Sequence, residues 1–139
     1  MLEVVVNHLG AAQFEAKARN HTIYCDQPIE NGGFDEGMTP PELLLASVGT
    51  CAGYYAVQYL KARELPLQNL RIRTIAEKAA APARLGEIRV LVDYAFPLEP
   101  RHREGLLQAV RKCLIHNTLL HPPKIDVEIQ SADAVPIAA

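Results

Sequence analysis

The chain has 139 residues, 49% of them hydrophobic, and a formal net charge of −2. That length suits one domain with a core of its own, while scattered basic residues and the lack of tryptophan argue against a nucleic-acid surface. Its three cysteines, Cys25, Cys51 and Cys113, are odd in number and widely spaced, which does not suggest a secreted disulfide framework, and no Cys-x-x-Cys pair is present.

Met1 runs into an apolar segment with no basic region or cleavage site, so the protein is expected to be cytoplasmic, with reduced thiols. Residues 2–9, LEVVVNHL, are rich in β-branched residues and predict a strand. Gly10 breaks it, and residues 13–18, QFEAKA, alternate as a second strand. Arg19-Asn20 reads as a turn into a third strand over 21–26, HTIYCD, in which Cys25 is expected to be buried. Residues 27–38 carry three glycines, a proline and several acids, and form a loop.

Thr39 opens a helix. Pro40 and Pro41 fit its first turn, and Glu42, three after Thr39, has capping-box spacing. The segment is apolar or small on every side through Val57, the pattern of a buried core helix. Ser47, Gly49, Thr50 and Gly53 interrupt it, and it reads as too short for a good membrane span. Pro66 ends the helical region.

Residues 68–79 put Leu70, Ile72, Thr74 and Ala76 on one parity and Arg71, Arg73 and Glu77 on the other. Residues 87–96 alternate again, with Ile88, Val90, Val92, Tyr94 and Phe96 inward, so the two segments predict an antiparallel pair. Pro100 starts a second helix. Leu106, Val110 and Cys113 share one face, and the helix continues or restarts through LIHNTLL before Pro122-Pro123. Ile125, Val127 and Ile129 predict a last strand over 124–130, and the tail ADAVPIAA is expected to be loosely held. The order is α+β with mostly antiparallel pairing, in one domain over 1–139.

Cys51 and Cys113 both fall on inward helix faces. Two readings stay open from the residues alone: buried packing thiols, or a thiolate and its partner, able to attack an electrophilic oxygen and close a disulfide. His116, three after Cys113, does not complete a spaced zinc motif.

PELLLASVGTC at 41–51 resembles the first-cysteine helix of the OsmC/Ohr (osmotically inducible protein C / organic hydroperoxide resistance) family, and RKCLIHNTL resembles its second-cysteine segment. DQPIENGG at 26–33 is similar to the entry to that helix in one branch of the family. The resemblance runs along nearly the whole chain. It implies an OsmC-like fold, with antiparallel sheets packed around a long central helix in an intertwined homodimer. It also implies a peroxidase that reduces organic hydroperoxides and is restored by a dithiol or lipoyl-type reductant. No metal, organic cofactor, membrane or nucleic-acid partner is implied.

By position, Cys51 is then the peroxidatic thiol and Cys113 the resolving one. His8 stands where the family places an arginine that holds the thiolate. Glu42 lies one residue past the glutamate that orients that arginine, where Pro41 stands instead. Glu42 also has its capping-box reading, and His8 that of a polar residue at a strand end. The alternative to the peroxidase is an OsmC-like dimer with unreactive cysteines that binds a small ligand or serves a stress-related role without turnover.

Overall fold

The computed structural model describes residues 1–132, so the expectation for the tail lies outside the described residues apart from Ala132. The N-terminal meander is β1 (Val5–Gly10), β2 (Gln13–Ala18) and β3 (His21–Cys25), paired antiparallel in that order. Gly10, at φ 127°, makes the turn after β1 in a conformation that suits glycine. β1 starts later than expected because Val5 pairs with Lys17; residues before it run past the end of β2, where the chain turns at Arg19. Cys25, at the end of β3, is half-buried rather than buried.

The loop that follows holds one 3-10 turn, Ile29–Asn31, and pivots on Asp26. The Asp26 carboxylate is buried and accepts hydrogen bonds from Gln13 Nε2 at 3.0 Å and from the backbone N–H groups of Gln27, Phe34 and Glu36 at 2.7, 3.2 and 3.0 Å. Burial alone would push the carboxyl pKa up. The bonds from Gln13, Glu36, Gln27 and Phe34 outweigh that and hold it below the ordinary value. Gly33 sits so close that a Cβ there would collide with the Gln27 carbonyl.

α1 (Pro40–Ala62) starts as the capping-box spacing predicts. Glu42 N–H donates to Thr39 Oγ1 at 3.5 Å, while Glu42 Oε1 accepts from the Thr39 N–H at 3.0 Å and its hydroxyl at 2.7 Å. The helix buries one face only, through Val48, Gly49, Ala52, Ala56, Tyr59 and Leu60. The expectation of all-round burial is therefore corrected: a single chain leaves Leu44 and Tyr54 exposed. Its 23 residues are long and apolar enough, by length and composition alone, to cross a membrane, a test that a core helix also passes. Its buried face packs on the second sheet and on the two helices that follow it.

That sheet is β4 (Arg71–Ala79) and β5 (Arg84–Asp93), antiparallel as expected, with a shorter turn. Gly49 and Gly53 let it approach α1: a Cβ at either would meet Thr74 or Ile72 at 3.4 or 3.3 Å. Thr74 Oγ1 donates to the Leu45 carbonyl at 3.0 Å across the same seam. Phe96, expected inward, lies past the end of β5 and is partly exposed.

The apolar core gathers Ala56, Tyr59 and Leu60 of α1 with Leu106 of α2 (Pro100–Arg111). Tyr59 lies over Gly105, where a Cβ would collide with its ring, and its hydroxyl is hydrogen-bonded to His102 Nδ1 at 3.2 Å.

The helix restarts rather than continues. α2 stops at Lys112, and α3 (Leu114–Leu120) begins after Cys113, which is extended at φ −55°, ψ 132°. Cys113 is thus an N-cap residue and not the last position of a helix face, although its side chain still points inward. Residues 124–130 form no strand among the described residues. Ile125, Val127 and Ile129 alternate with polar neighbours but are 80%, 86% and 94% exposed, with no strand beside them to complete a ladder.

The two sheets stay apart: among the described residues, β1–β3 makes no extensive contact with any helix or with β4–β5. The chain exposes 11193 Å². A compact monomer of 15.3 kDa exposes about 7,100 Å² by surface scaling.

Candidate active site

Cys51 stands in the middle of α1, on the face that meets α3. Cys113 is delivered by the link between α2 and α3. Both thiols are free, and they lie within hydrogen-bonding reach of each other. Cys113 is 1% exposed, while Cys51 is only half-buried. The structure therefore brings together the two cysteines that the sequence singled out, from two separate elements.

The pair is not symmetric. Burial pushes the Cys51 thiol up, but hydrogen bonds from the Cys113 thiol and from the backbone N–H groups of Ile115 and Leu114 more than offset it, and its pKa falls below the ordinary value. Cys113 moves the other way. Its burial is greater, and its thiol is the one that donates to Cys51, so its pKa rises against the opposing bonds from the His116 and Ile115 N–H groups. The His116 N–H donates to Cys113 Sγ at 3.4 Å. Of the two thiols, Cys51 is thus the one whose charged form is favoured, through the Cys113 S–H and the first backbone amides of α3. Those amides were not legible in the sequence, because they face Cys51 only when the helix breaks at Cys113.

The other two candidates lie elsewhere in the single chain. Glu42 is nine residues before Cys51, about 13 Å along the axis and on the opposite side of the helix. It is exposed, and its bonds to the Thr39 side chain and backbone hold its carboxyl below the ordinary range. His8 is on β1, in the sheet that does not pack on α1, and its Nε2–H donates to the Ala11 carbonyl at 2.8 Å. Neither is brought to the thiol pair within one chain. Asp26, which organises the approach to α1, was not singled out as a functional residue by sequence reasoning; its signal was an acid at the junction of a strand and a Gly-rich loop.

A cleft of about 530 Å³ opens beside Cys113. It is lined by Ile88, Val90, Leu107 and Val110, with Arg111 and His116 as its basic groups. A larger hollow of about 790 Å³, at Asn69–Arg71 and Val92–Ala95, touches neither sulfur. Among the described residues no group of three His, Cys, Asp or Glu side chains is placed to hold a metal ion.

Comparison with known proteins agrees with this architecture. A Psychrobacter arcticus protein, provisionally described as an osmotic stress induced and detoxification response protein, superposes with TM-score 0.77 at 20% identity, over 85% of this chain and 88% of that one. An OsmC-like protein from Mycoplasma pneumoniae gives 0.75 at 19% identity, over 88% and 89%. An organic hydroperoxide resistance protein OsmC from Legionella pneumophila, also described as a predicted redox protein, gives 0.61 at 17% identity, over 86% and 88%. A search of curated proteins gives no match. Residues 33–128 match the family model described as OsmC-like protein, a span that includes α1 and both site cysteines. With the family's fold around it and that span covering most of its length, the chain belongs to the OsmC-like family.

Proposed function

We propose that the protein is a thiol-dependent peroxidase that reduces organic hydroperoxides in the cytoplasm, working as a homodimer. The observation that carries this reading is the polarised contact between the thiols, with charge favoured on the more accessible Cys51 and the proton kept on the buried Cys113.

The Cys51 thiolate attacks a peroxide oxygen. The O–O bond breaks, Cys51 becomes a sulfenic acid, and the alkoxide leaves as an alcohol after taking a proton. Cys113 stands within reach to donate that proton. Its own thiolate then attacks the Cys51 sulfur, the S–O bond breaks, and the oxygen leaves as water once protonated, closing the Cys51–Cys113 disulfide. A dithiol restores the pair. The hydroperoxide resistance described for the Legionella relative supports the substrate class.

The homodimer is supported by surface. The open side of α1, the apolar residues Val6, Phe14 and Ile23 of the meander, and the unpaired segment carrying Ile125 and Val127 are all exposed in one chain. In a dimer the meander of the partner has the freedom to cover Cys51, and this is how His8 would approach the thiolate. Glu42 keeps its capping role.

Titration of the reduced protein with cumene hydroperoxide tests the peroxidase. Two thiols per chain disappear with formation of a Cys51–Cys113 disulfide. Cys51→Ser consumes no peroxide, and Cys113→Ser accumulates a sulfenic acid that dimedone traps. Thiols that stay inert in the native protein would remove the proposal and leave a binding or structural dimer.

A further inference from the structure

α3 has little of its own to hold it. It is seven residues long and buries none of them fully, and Leu114 and Leu120 are exposed. A helix that short is marginal without help from its ends or its packing. No acidic side chain stands in its first turn. Its N-cap is Cys113, whose sulfur accepts from the His116 N–H at 3.4 Å. The N–H groups of Leu114 and Ile115 are directed at Cys51, and that of Ile115 at Cys113 as well. A helix start leaves four amides without an intrahelical partner. Here the Cys113 N–H donates to the Val110 carbonyl at 3.3 Å, and the other three end on the two sulfurs. The first bond within the helix follows, from the Asn117 N–H to the Cys113 carbonyl at 3.0 Å.

This capping depends on the state of the sulfurs. A thiolate is an anion at the positive end of a helix and a strong acceptor for its amides. A disulfide sulfur is neutral, and divalent sulfur accepts hydrogen bonds only weakly. Cys113 Sγ also turns from the His116 N–H toward Cys51 when the bond forms. The remaining side-chain bond of the helix, from Thr118 Oγ1 to the Leu114 carbonyl at 2.8 Å, does not serve the unpaired amides. The start of α2 involves neither sulfur: its first amides, of His102 and Arg103, donate to the Glu99 carbonyl at 2.9 Å.

We propose that the thiol pair is a redox-sensitive cap of α3, which stays ordered while the pair is reduced and loosens when the disulfide closes. The inference rests on the proposed function only for the Cys51–Cys113 disulfide. In the closing step the two thiols together lose two protons and two electrons, and one S–S bond forms. The hydroperoxide takes them up, its O–O bond breaks, and an alcohol and water leave. α3 supplies His116, Leu119 and Leu120 to the cleft beside Cys113. The segment that loosens is therefore one wall of that cleft, and it carries the state of a buried sulfur to the surface. The coupling is reciprocal: the bonds that order α3 favour the reduced pair to the same degree.

Hydrogen exchange in the full chain tests this without any peroxide, with diamide as the oxidant that takes the two electrons and two protons and becomes a hydrazine. Amides 117–121 are expected to exchange about fivefold faster in the oxidised chain than in the reduced one, the effect of losing one helix cap, while those of α2 stay unchanged. Equal exchange in both states overturns the proposal. Cys113→Ser keeps a capping oxygen but cannot close the disulfide, so diamide is expected to leave its α3 unaltered. Loosening of α3 in that variant would overturn the proposal too, because the cause would lie elsewhere. Leu114→Pro removes one amide directed at Cys51, and Cys113 at φ −55°, ψ 132° already has the extended conformation that precedes a proline at a helix start. The difference between the oxidised and reduced chains is expected to narrow in that variant, and an unchanged difference would show that the sulfurs do not hold the helix start. If diamide closes the disulfide and loosens α3 but cumene hydroperoxide oxidises nothing, the peroxidase reading fails and the switch stands. If cumene hydroperoxide closes the disulfide and α3 keeps its protection, the switch fails and the peroxidase stands. If neither oxidant closes a disulfide, both fail.

Discussion

The two halves of the chain hold together by different means. Beyond Thr39, α1, α2 and β4–β5 close around apolar side chains, with Ala56 and Leu60 fully buried. Before it, β1–β3 has strand ladders but no apolar core of its own, and the one buried charge of the described residues, Asp26, ties the connecting loop to β2. A half with a core can hold a reactive pair in fixed geometry. A half held by hydrogen bonds, with Val5, Phe14 and Ile23 turned outward, is built to find its apolar contacts in another molecule.

Three substitutions probe this difference. The largest effect is expected from Leu60→Ala, which empties a fully buried site in the core and lowers unfolding stability by about 2–5 kcal/mol. Denaturant titration followed by tyrosine fluorescence measures it. A loss under about 1 kcal/mol would mean that the core is not what holds the second half.

Asp26→Asn comes next and acts on the first half. The native carboxyl pKa is below its unfolded value of 3.8, so its contribution is fully present above that value and fades as pH falls through the depressed native pKa. The substitution is expected to destabilise at neutral pH and to narrow its gap from the wild type below pH 3.8. Melting temperatures from pH 7 to 2 show this, and a gap that widens with acid would contradict the hydrogen-bond account of the loop.

The smallest effect is at the junction. Thr39→Ala removes the cap of α1 and is expected to lower stability by about 1 kcal/mol. Amide exchange measures whether the loss stays in the first turn. If it spreads to Cys51, the two halves are coupled through the helix end more tightly than their separate contacts imply.

Much of the second half was legible in the sequence because its signals are local. Thr39, Pro40 and Glu42 carry a helix start in four residues, and the alternation from Ile72 to Ala76 reports a strand with one wet face. Cys51 and Cys113 could be named as a pair from their segments, yet three features of the site and its surroundings were hidden. Leu106, Val110 and Cys113 keep helical phase across the break, so periodicity could not reveal that Cys113 leaves the helix. Residues 124–130 alternate like a strand, but pairing needs a neighbour that the single chain does not supply. Asp26 bonds to groups as distant as Gln13 and Glu36, and no local pattern encodes such a convergence.

The extended link at Cys113 has one further effect. A sulfur on a continuous helix, such as that of Cys51, moves toward its partner by rotation about its own Cα–Cβ bond. Here the backbone at φ −55°, ψ 132° leaves helical torsions at one residue, yet its N–H donates to the Val110 carbonyl at 3.3 Å, its carbonyl accepts from the Asn117 N–H at 3.0 Å and its sulfur accepts from the His116 N–H at 3.4 Å. The joint is thus anchored to the end of one helix and the start of the next, so closing a disulfide there costs α3 the sulfur's capping bond.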